Sequence, residues 1–480
     1  MEAPRPTEGF FARELGALLA PDRIRVGAAA ARAYECDAYT VDRAEPWAIA
    51  LPESTEEVAV LVRWCVRHGV PFTPRGAGTG LSGGAMAARG GIIVSTKRMT
   101  QILEVDLPNR RILAQAGIAN KRLSDAVAAA GLHFAPDPSS QTVSTLGGNI
   151  AENSGGPHTL KYGVTAQHIL GLTLVDPTGE VVHLGGDATG GPGLDFVGLV
   201  VGAEGTLGIV TEAWVKLTPL PEAVHTLLAS FAEIDQATAS VAEIVGSGIL
   251  PAALEMMDEG IMRAVSQAFR LSYPEGARAL LLIECDGAPE ASAKEAAEAE
   301  RICRAHRALA VEIAEDEAAR QRLWIARKKG IGAMGRLAPS IVTHDGVIPR
   351  SKLPEMLRFV YEVAEQHRLL VANIFHAGDG NLHPCFGFDD RDPEQIRQVV
   401  EAGEKILRKC VELGGSLSGE HGVGVEKSEL MSLMFSPDDL CLQADAKRIF
   451  NEGDLCNPCK VFPSQKGCIE HRARWRGVAW

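Results

Sequence analysis

A chain of 480 residues is too long for one ordinary core, so two or three domains are expected. With 46% hydrophobic and 23% charged residues it reads as globular, not disordered or fibrous, and no stretch reaches the about 18 consecutive apolar residues of a membrane-spanning helix. The net charge of −13 argues against a nucleic-acid partner, and the basic tail HRARWRGVAW reads as a solvated end. The N-terminus lacks the basic-then-apolar order of a secretion signal, so a cytoplasmic location is expected, peripheral to a membrane only through a partner. The ten cysteines are scattered, and most read as small buried hydrophobes.

Residues from about Phe10 to Ala44 look mainly helical, ending in the acidic, aromatic connector Tyr34–Thr40. Ala48–Leu51 is a short strand, Ser54-Thr55-Glu56-Glu57 a helix start, and Val58–His68 carries helical apolar spacing up to the stop at Gly69. The strand Pro71–Pro74 then leads into Arg75-Gly76-Ala77-Gly78-Thr79-Gly80. Between dense glycine blocks lie the β-type runs Gly91–Ser95, Arg111–Gln115, Ile169–Val175 and Gly208–Leu217, and Pro219–Pro221 marks a boundary. Beyond it the strands Thr226–Phe231 and Ala279–Cys285 alternate with the helices Ile234–Val245 and Ala288–Ala308. That order suits an antiparallel sheet with helices packed on one side.

Gly78-Thr79-Gly80-Leu81-Ser82-Gly83 matches the dinucleotide fingerprint G-x-G-x-x-G, a weak signal alone. A Rossmann unit would open a helix here, whereas this loop runs almost directly into the strand Ile92–Ser95, so that reading fails. A glycine-rich loop can still converge its backbone N–H groups on an anion, with hydroxyls of Thr79 and Ser82 beside them, and a pyrophosphate is the expected ligand. Two more blocks of the same character follow. Pro136–Ser140 with Thr145–Gly156 is one, and Gly202–Val210 (GAEGTLGIV) is the other. Three such blocks favour a large planar cofactor over ordinary turns.

The segments PRGAGTGLSGG, TLGGNIAENSGG, KYG and GAEGTLGIVTE resemble the FAD domain of the vanillyl-alcohol oxidase / p-cresol methylhydroxylase superfamily, within it the branch of glycolate oxidase flavin subunits and D-lactate dehydrogenases. The likeness runs from about residue 45 to 466. It implies an α+β chain, in which a two-subdomain FAD-binding domain of the vanillyl-alcohol oxidase type (1–220) precedes an antiparallel-sheet-plus-helices substrate cap (221–415). A C-terminal segment (416–480) then completes the FAD and metal site. It further implies that Arg75, Gly76, Gly78, Thr79, Gly80, Leu81, Ser82 and Gly83 hold the FAD pyrophosphate. Pro136, Ser139, Ser140, Thr145, Gly147, Gly148, Asn149, Asn153, Gly155, Gly205, Gly208, Ile209, Val210 and Asn457 would line the rest. No anchor like the His or Cys that tethers flavin in some relatives is present, so noncovalent FAD is expected.

The segment Asn373–Pro384 (NIFHAGDGNLHP) sets His376 and His383 around a tight turn, and Gly414–Gly424 (GGSLSGEHGVG) places Glu420 beside His421. Two imidazoles and a carboxylate suit a divalent transition metal with an open position, zinc first among them. The resemblance implies that His376, His383 and Glu420 ligate the metal, that His421 is the catalytic base and that Arg327 grips the substrate carboxylate through paired hydrogen bonds. The implied reaction is metal-assisted dehydrogenation of a small D-2-hydroxy acid, glycolate or D-lactate, by hydride transfer to flavin N5. The electrons would pass on to an iron–sulfur subunit, a quinone or an electron-transfer flavoprotein. The alternatives are a D-2-hydroxyglutarate or other 2-hydroxy acid dehydrogenase, and a noncatalytic flavin-binding subunit of a larger complex.

The sequence departs from the branch at two places. Ser340–Gly346 has no lysine where the 2-hydroxyglutarate enzymes carry one, which favours a small acid. Cys459 stands in Asn457-Pro458-Cys459-Lys460 where relatives have glycine, a strained choice if the backbone there needs positive φ. Cys456, Cys459, Cys468 and His471 are also spaced like a small zinc ribbon, but free thiols are the expected state.

Overall fold

The computed structural model describes residues 7–186 and 192–463, which divide into two compact units. Of the described residues, the first unit holds 7–155, 164–219 and 420–463; the second holds 156–163 and 220–419.

The first unit has two sheets. One runs β1 (Ile24–Arg25), β2 (Ala48–Ala50), β4 (Ile92–Ser95), β3 (Phe72–Arg75), with β2, β4 and β3 parallel. The helix Thr55–His68 joins β2 to β3. It starts where the Ser54 side chain accepts the Glu57 N–H and ends at Gly69, whose φ of 63° lies in the left-handed region. Its Val58, Leu61, Val62 and Cys65 fall at helical spacing and are fully buried in the core beside this sheet. No helix lies between β3 and β4, so the glycine loop is a connection between parallel neighbours and not a Rossmann crossover. The region 10–44 is less helical than its composition suggests: after Glu8–Gly16 only Ala28–Arg32 forms an α-helix. Ile24–Arg25 is instead recruited as an edge strand by β2.

The second sheet of this unit comprises β5 (Ile102–Asp106), β6 (Arg111–Gln115), β8 (Ile169–Val175), β9 (Val181–Gly185) and β10 (Ile209–Lys216). It is antiparallel in the order β5-β6-β10-β8-β9, while β7 (Leu132–His133) pairs separately with β11 (Thr218–Pro219). Ile209, Thr211, Ala213 and Val215 alternate inward along β10, as a strand with one face on a core requires. The C-terminal stretch returns to the first sheet, where the Phe72 N–H donates to the Leu455 carbonyl (2.8 Å) and the Asn457 N–H to the Phe72 carbonyl (2.8 Å).

The second unit is built on β12 (Ala223–Phe231), β13 (Ala253–Asp258), β14 (Ala279–Gly287), β15 (Ala310–Ile313), β16 (Ser340–Thr343), β17 (Gly346–Val347), β18 (Leu370–His376), β19 (Asn381–Leu382) and β20 (Pro384–Phe388). Its main order is β15-β12-β14-β13-β18-β19-β17, and β20 joins β18 to β16. Helices cover both faces here, not one. Leu280 and Leu282 cluster with Ile261, Met262, Leu323 and Trp324 of the helices Glu259–Phe269 and Glu317–Met334. Leu281 and Ile283, which alternate to the opposite face, are equally buried where the helices Ile234–Gly246 and Pro289–Ala305 pack on β12 and β14. This is why β14 reads as a near-continuous apolar run.

Candidate functional site

In the first unit the glycine loop leaves β3 at Arg75, whose buried guanidinium donates to the Ala85 carbonyl (3.2 Å) and lies against Tyr34. A Cβ on Gly78 would meet Arg75 Nη2 at 2.2 Å, so this backbone, at φ 74°, closes over the arginine only as glycine. Among the described residues, no N–H from Ala77 to Gly84 donates to any group of the chain. A run of adjacent N–H groups without partners is rare in a packed fold, and it suits the oxygens of a pyrophosphate. The Ser82 hydroxyl has another use: it donates to the His421 carbonyl (3.0 Å), so Ser82 offers an anion its N–H and not its side chain.

The second glycine block is tied together by asparagines. Thr145 caps the helix Leu146–Glu152 by accepting the Gly148 N–H. Asn149 Nδ2 donates to Asn120 Oδ1 (2.9 Å), and Asn120 Nδ2 to the Pro136 carbonyl (2.7 Å), which fixes the turn Pro138–Gln141 beside the helix start. Gly76 packs on this cap, since a Cβ there would lie 2.2 Å from Thr145 Oγ1. Asn153 ends the helix in the left-handed region (φ 53°) and accepts the Ala166 N–H, and Gly155 is buried beyond it. In the third block Gly205 (φ 68°) packs against Pro74 and Gly208 (φ 138°) against the Val175 carbonyl. Ile209 and Val210 then begin β10. Asn457 Nδ2 donates to the carbonyls of Gly84 (3.0 Å) and Glu204 (2.7 Å), joining the first and third blocks. The loops thus gather small residues and unpaired N–H groups, a donor set that fits a dinucleotide.

Glu204 was not legible as a site residue in the sequence. Its buried carboxylate accepts the N–H groups of Val423 (2.6 Å) and Gly424 (2.7 Å), while Lys427 Nζ donates to the Gly422 carbonyl (3.0 Å). With Ser82, these bonds hold the backbone around His421 to the first and third glycine blocks. Burial pushes the Glu204 carboxyl up, although those two N–H groups oppose it. Burial and the charge of Glu204 push Glu152 well above the usual range. Asp37 accepts the N–H groups of Tyr39 and Ala85, and burial drives Lys460, which donates to the Met86 carbonyl, down to about 8.

In the second unit His376 ends β18 and His383 follows β19. Their rings lie 5.2 Å apart at 85°, and both are buried. The turn between them needs its glycines, because a Cβ on Gly380 (φ 81°) would meet the Ile348 carbonyl at 2.1 Å and one on Gly378 would meet Leu160 at 2.4 Å. The β13–β18 register sets Glu255 directly opposite His376, whose Nδ1 donates to Glu255 Oε1 (2.6 Å). Arg327 Nε donates to the other oxygen of the same carboxylate. Arg327 is therefore buried, unlike Lys328, whose ammonium sits over the Trp324 ring, or the exposed Lys329. Burial alone would raise the Glu255 carboxyl, but Arg327 and then His376 hold it below the ordinary value. Asp345 lies 3.8 Å from His383 Nδ1 and accepts from Ser418 Oγ (2.7 Å) and the Gly419 N–H (2.9 Å). Glu420 follows Gly419 directly in the chain. Two buried imidazoles with carboxylates on their Nδ1 side are a donor set that fits a divalent metal.

The short segment 156–163 belongs to this unit and explains the KYG motif. Lys161 Nζ and Tyr162 Oη both donate to the Asp286 carboxylate, and His158 contacts Glu284 (3.1 Å). Glu255 and Glu284 were missed by sequence reasoning. Their one available signal was a lone acid inside an apolar strand, which in a buried sheet demands a cationic partner. Cys456 is buried, donating to the Gly205 carbonyl, whereas Cys459 is exposed; Cys468 and His471 lie outside the described residues.

Residues 46–185 match the FAD binding domain, and residues 220–461 match the FAD linked oxidases, C-terminal domain. The glycolate oxidase subunit GlcD of Escherichia coli (strain K12) is 42% identical over 440 residues, covering 92% of this chain and 88% of that protein. The D-lactate dehydrogenase of Anaerostipes hadrus is 31% identical, covering 92% of this chain and 95% of that protein. The structure of p-cresol methylhydroxylase with substrate bound superposes with a TM-score of 0.78 at 16% identity, over 95% of this chain and 97% of that one, a likeness of fold alone.

Proposed function

This chain belongs to the FAD-linked oxidases, and from that premise we propose that it dehydrogenates a small D-2-hydroxy acid, glycolate or D-lactate, to the 2-oxo acid. It is an FAD-dependent oxidoreductase. The observation that carries the choice of substrate is the buried Arg327, held from one side by Glu255 and so prepared to meet a carboxylate with its other edge. A small acid is favoured over a dicarboxylic one because Ser340–Gly346 supplies no lysine.

FAD, when bound, supplies the two-electron acceptor. A divalent metal held by His376, His383 and Glu420 would supply Lewis acidity toward the substrate hydroxyl. The chain does the rest. Arg327 orients the carboxylate, His421 takes the hydroxyl proton, and Ser82 and Glu204 keep the backbone of His421 in place. The E. coli relative is named a subunit, which supports a partner that receives the electrons, whether an iron–sulfur subunit, a quinone or an electron-transfer flavoprotein. Among the described residues no helix is long and apolar enough to cross a membrane.

The test is the visible spectrum of the purified protein, with glycolate, D-lactate and D-2-hydroxyglutarate added in turn without oxygen. Bleaching by glycolate or D-lactate, lost after chelator treatment and restored by zinc, is the expected result. A flavin that only D-2-hydroxyglutarate bleaches would move the substrate assignment. One that no 2-hydroxy acid bleaches, with metal restored, would overturn it.

A further inference from the structure

Glu255 is a buried acid in the middle of an apolar sheet, and its two oxygens are divided between two different functional side chains. Oε1 accepts from His376 Nδ1 at 2.6 Å, and Oε2 accepts from Arg327 Nε. The residue is wholly buried, and the β13–β18 register places it directly across from His376. A second buried acid on the adjacent strand shows the alternative arrangement: Glu284 takes up the side chains of Thr226, Arg320, Trp324 and His158, none of which belongs to the reaction. Glu255 differs in that both of its partners do.

We propose that Glu255 is a positioning residue that sets the metal ligand and the carboxylate clamp together. This rests on the reading of His376 and Arg327 given above. A carboxylate can only accept, so the proton of neutral His376 is held on Nδ1 and the ring's lone pair on Nε2, the nitrogen a metal would take. By taking Nε, the same carboxylate fixes the Arg327 guanidinium, whose Nη2 lies against the His376 ring. It also places a negative charge between the Arg327 guanidinium and the His376 ring. Arg327 Nη2 stands 3.5 Å from each ring nitrogen of His376, so a metal on that ring would bring a second positive charge near the guanidinium, which the carboxylate would offset. An amide in its place could accept from only one partner and would present N–H groups to the other.

The experiment compares wild type with Glu255→Gln and with Met257→Ala, which removes core volume from the same strand. Each protein is stripped with chelator, its zinc affinity is measured by competition with a chromophoric chelator, and flavin reduction is followed anaerobically against glycolate and D-lactate. FAD content and thermal midpoint monitor folding. The expected result for E255Q is zinc binding weakened by roughly 10- to 100-fold and a raised KM, with FAD retained. M257A should lose thermal stability with unchanged zinc affinity. If E255Q matches wild type in zinc affinity and KM, the inference is overturned; if M257A weakens zinc as much as E255Q does, the role is merely structural and the inference fails as well. A wild type that binds no divalent metal instead refutes the metal reading, and the KM of E255Q then decides the Arg327 half alone. Should E255Q not fold, Glu255→Asp, which keeps the charge but shortens the reach, is put through the same two measurements with the same criteria.

Discussion

Glu284→Gln tests how the second unit holds the segment that carries His158, Lys161 and Tyr162. The wild-type carboxylate is buried and accepts from Thr226 Oγ1 (2.7 Å), Trp324 Nε1 (2.8 Å), and Arg320 Nε (2.9 Å) and Nη2 (2.8 Å), with His158 Nε2 at 3.1 Å. A glutamine can keep its carbonyl toward Thr226, Trp324 and Arg320 Nε, but its N–H groups then face Arg320 Nη2 and His158. Breaking a buried pair from one side costs about 3–5 kcal/mol. Arg320 is 27% exposed at its side chain and can recover some hydration, so the lower end, about 3 kcal/mol, is expected at pH 7. The deficit must depend on pH. Burial raises the Glu284 carboxyl, but His158 and Arg320 outweigh it and hold the group far below its ordinary value. A depressed folded-state value means the stabilisation is complete above the unfolded carboxyl's pKa, about 4.3, and is lost as pH falls toward the folded value. Each unit below about 4.3 should therefore narrow the gap between wild type and variant by about 1.4 kcal/mol. Urea unfolding followed by tryptophan fluorescence at pH 7 and at pH 3.5 measures both quantities. A gap below 1 kcal/mol at pH 7, or one unchanged in acid, would refute the reasoning.

Cys459 sits at φ 61°, where a non-glycine residue costs about 1–2 kcal/mol, and glycine's greater unfolded freedom returns about 0.5–1 kcal/mol of that. Cys459→Gly should thus raise the urea midpoint by the equivalent of about 0.5–1 kcal/mol, and a lowered midpoint would count against strain at this site. Burial pushes the thiols of Cys285, Cys303, Cys385 and Cys456 up to about 12, whereas Cys459 is exposed. Iodoacetamide at pH 8 should label Cys459 in the native protein and those four only after unfolding, as read by peptide mass spectrometry. Gly76→Ala would drive a methyl group to within 2.2 Å of Thr145 Oγ1, at a cost of about 1–3 kcal/mol. Purified G76A should carry less FAD than wild type at equal folded yield, and a full complement would show that the loop can give way.

The strands β6 and β8, the helix from Thr55 to His68, and the absence of a crossover helix after Arg75 could all be read from local pattern, because strand alternation, helix caps and glycine runs are properties of neighbouring residues. The family was legible for the same reason, since its motifs are contiguous loops. What local pattern misjudged was packing. The sheet of the second unit is covered on both faces, and the segment 10–44 yields a strand to β2, because both outcomes depend on what lies across a sheet. The positive φ at Cys459 could be anticipated from a glycine expected there, but Glu204, Glu255 and Glu284 could not be given partners. Glu255 meets His376 through strand register across 121 residues, and Glu204 meets Val423 across 219. A buried carboxylate is tolerated only where a cation or N–H group arrives from elsewhere in the chain, and only the tertiary fold decides which one arrives.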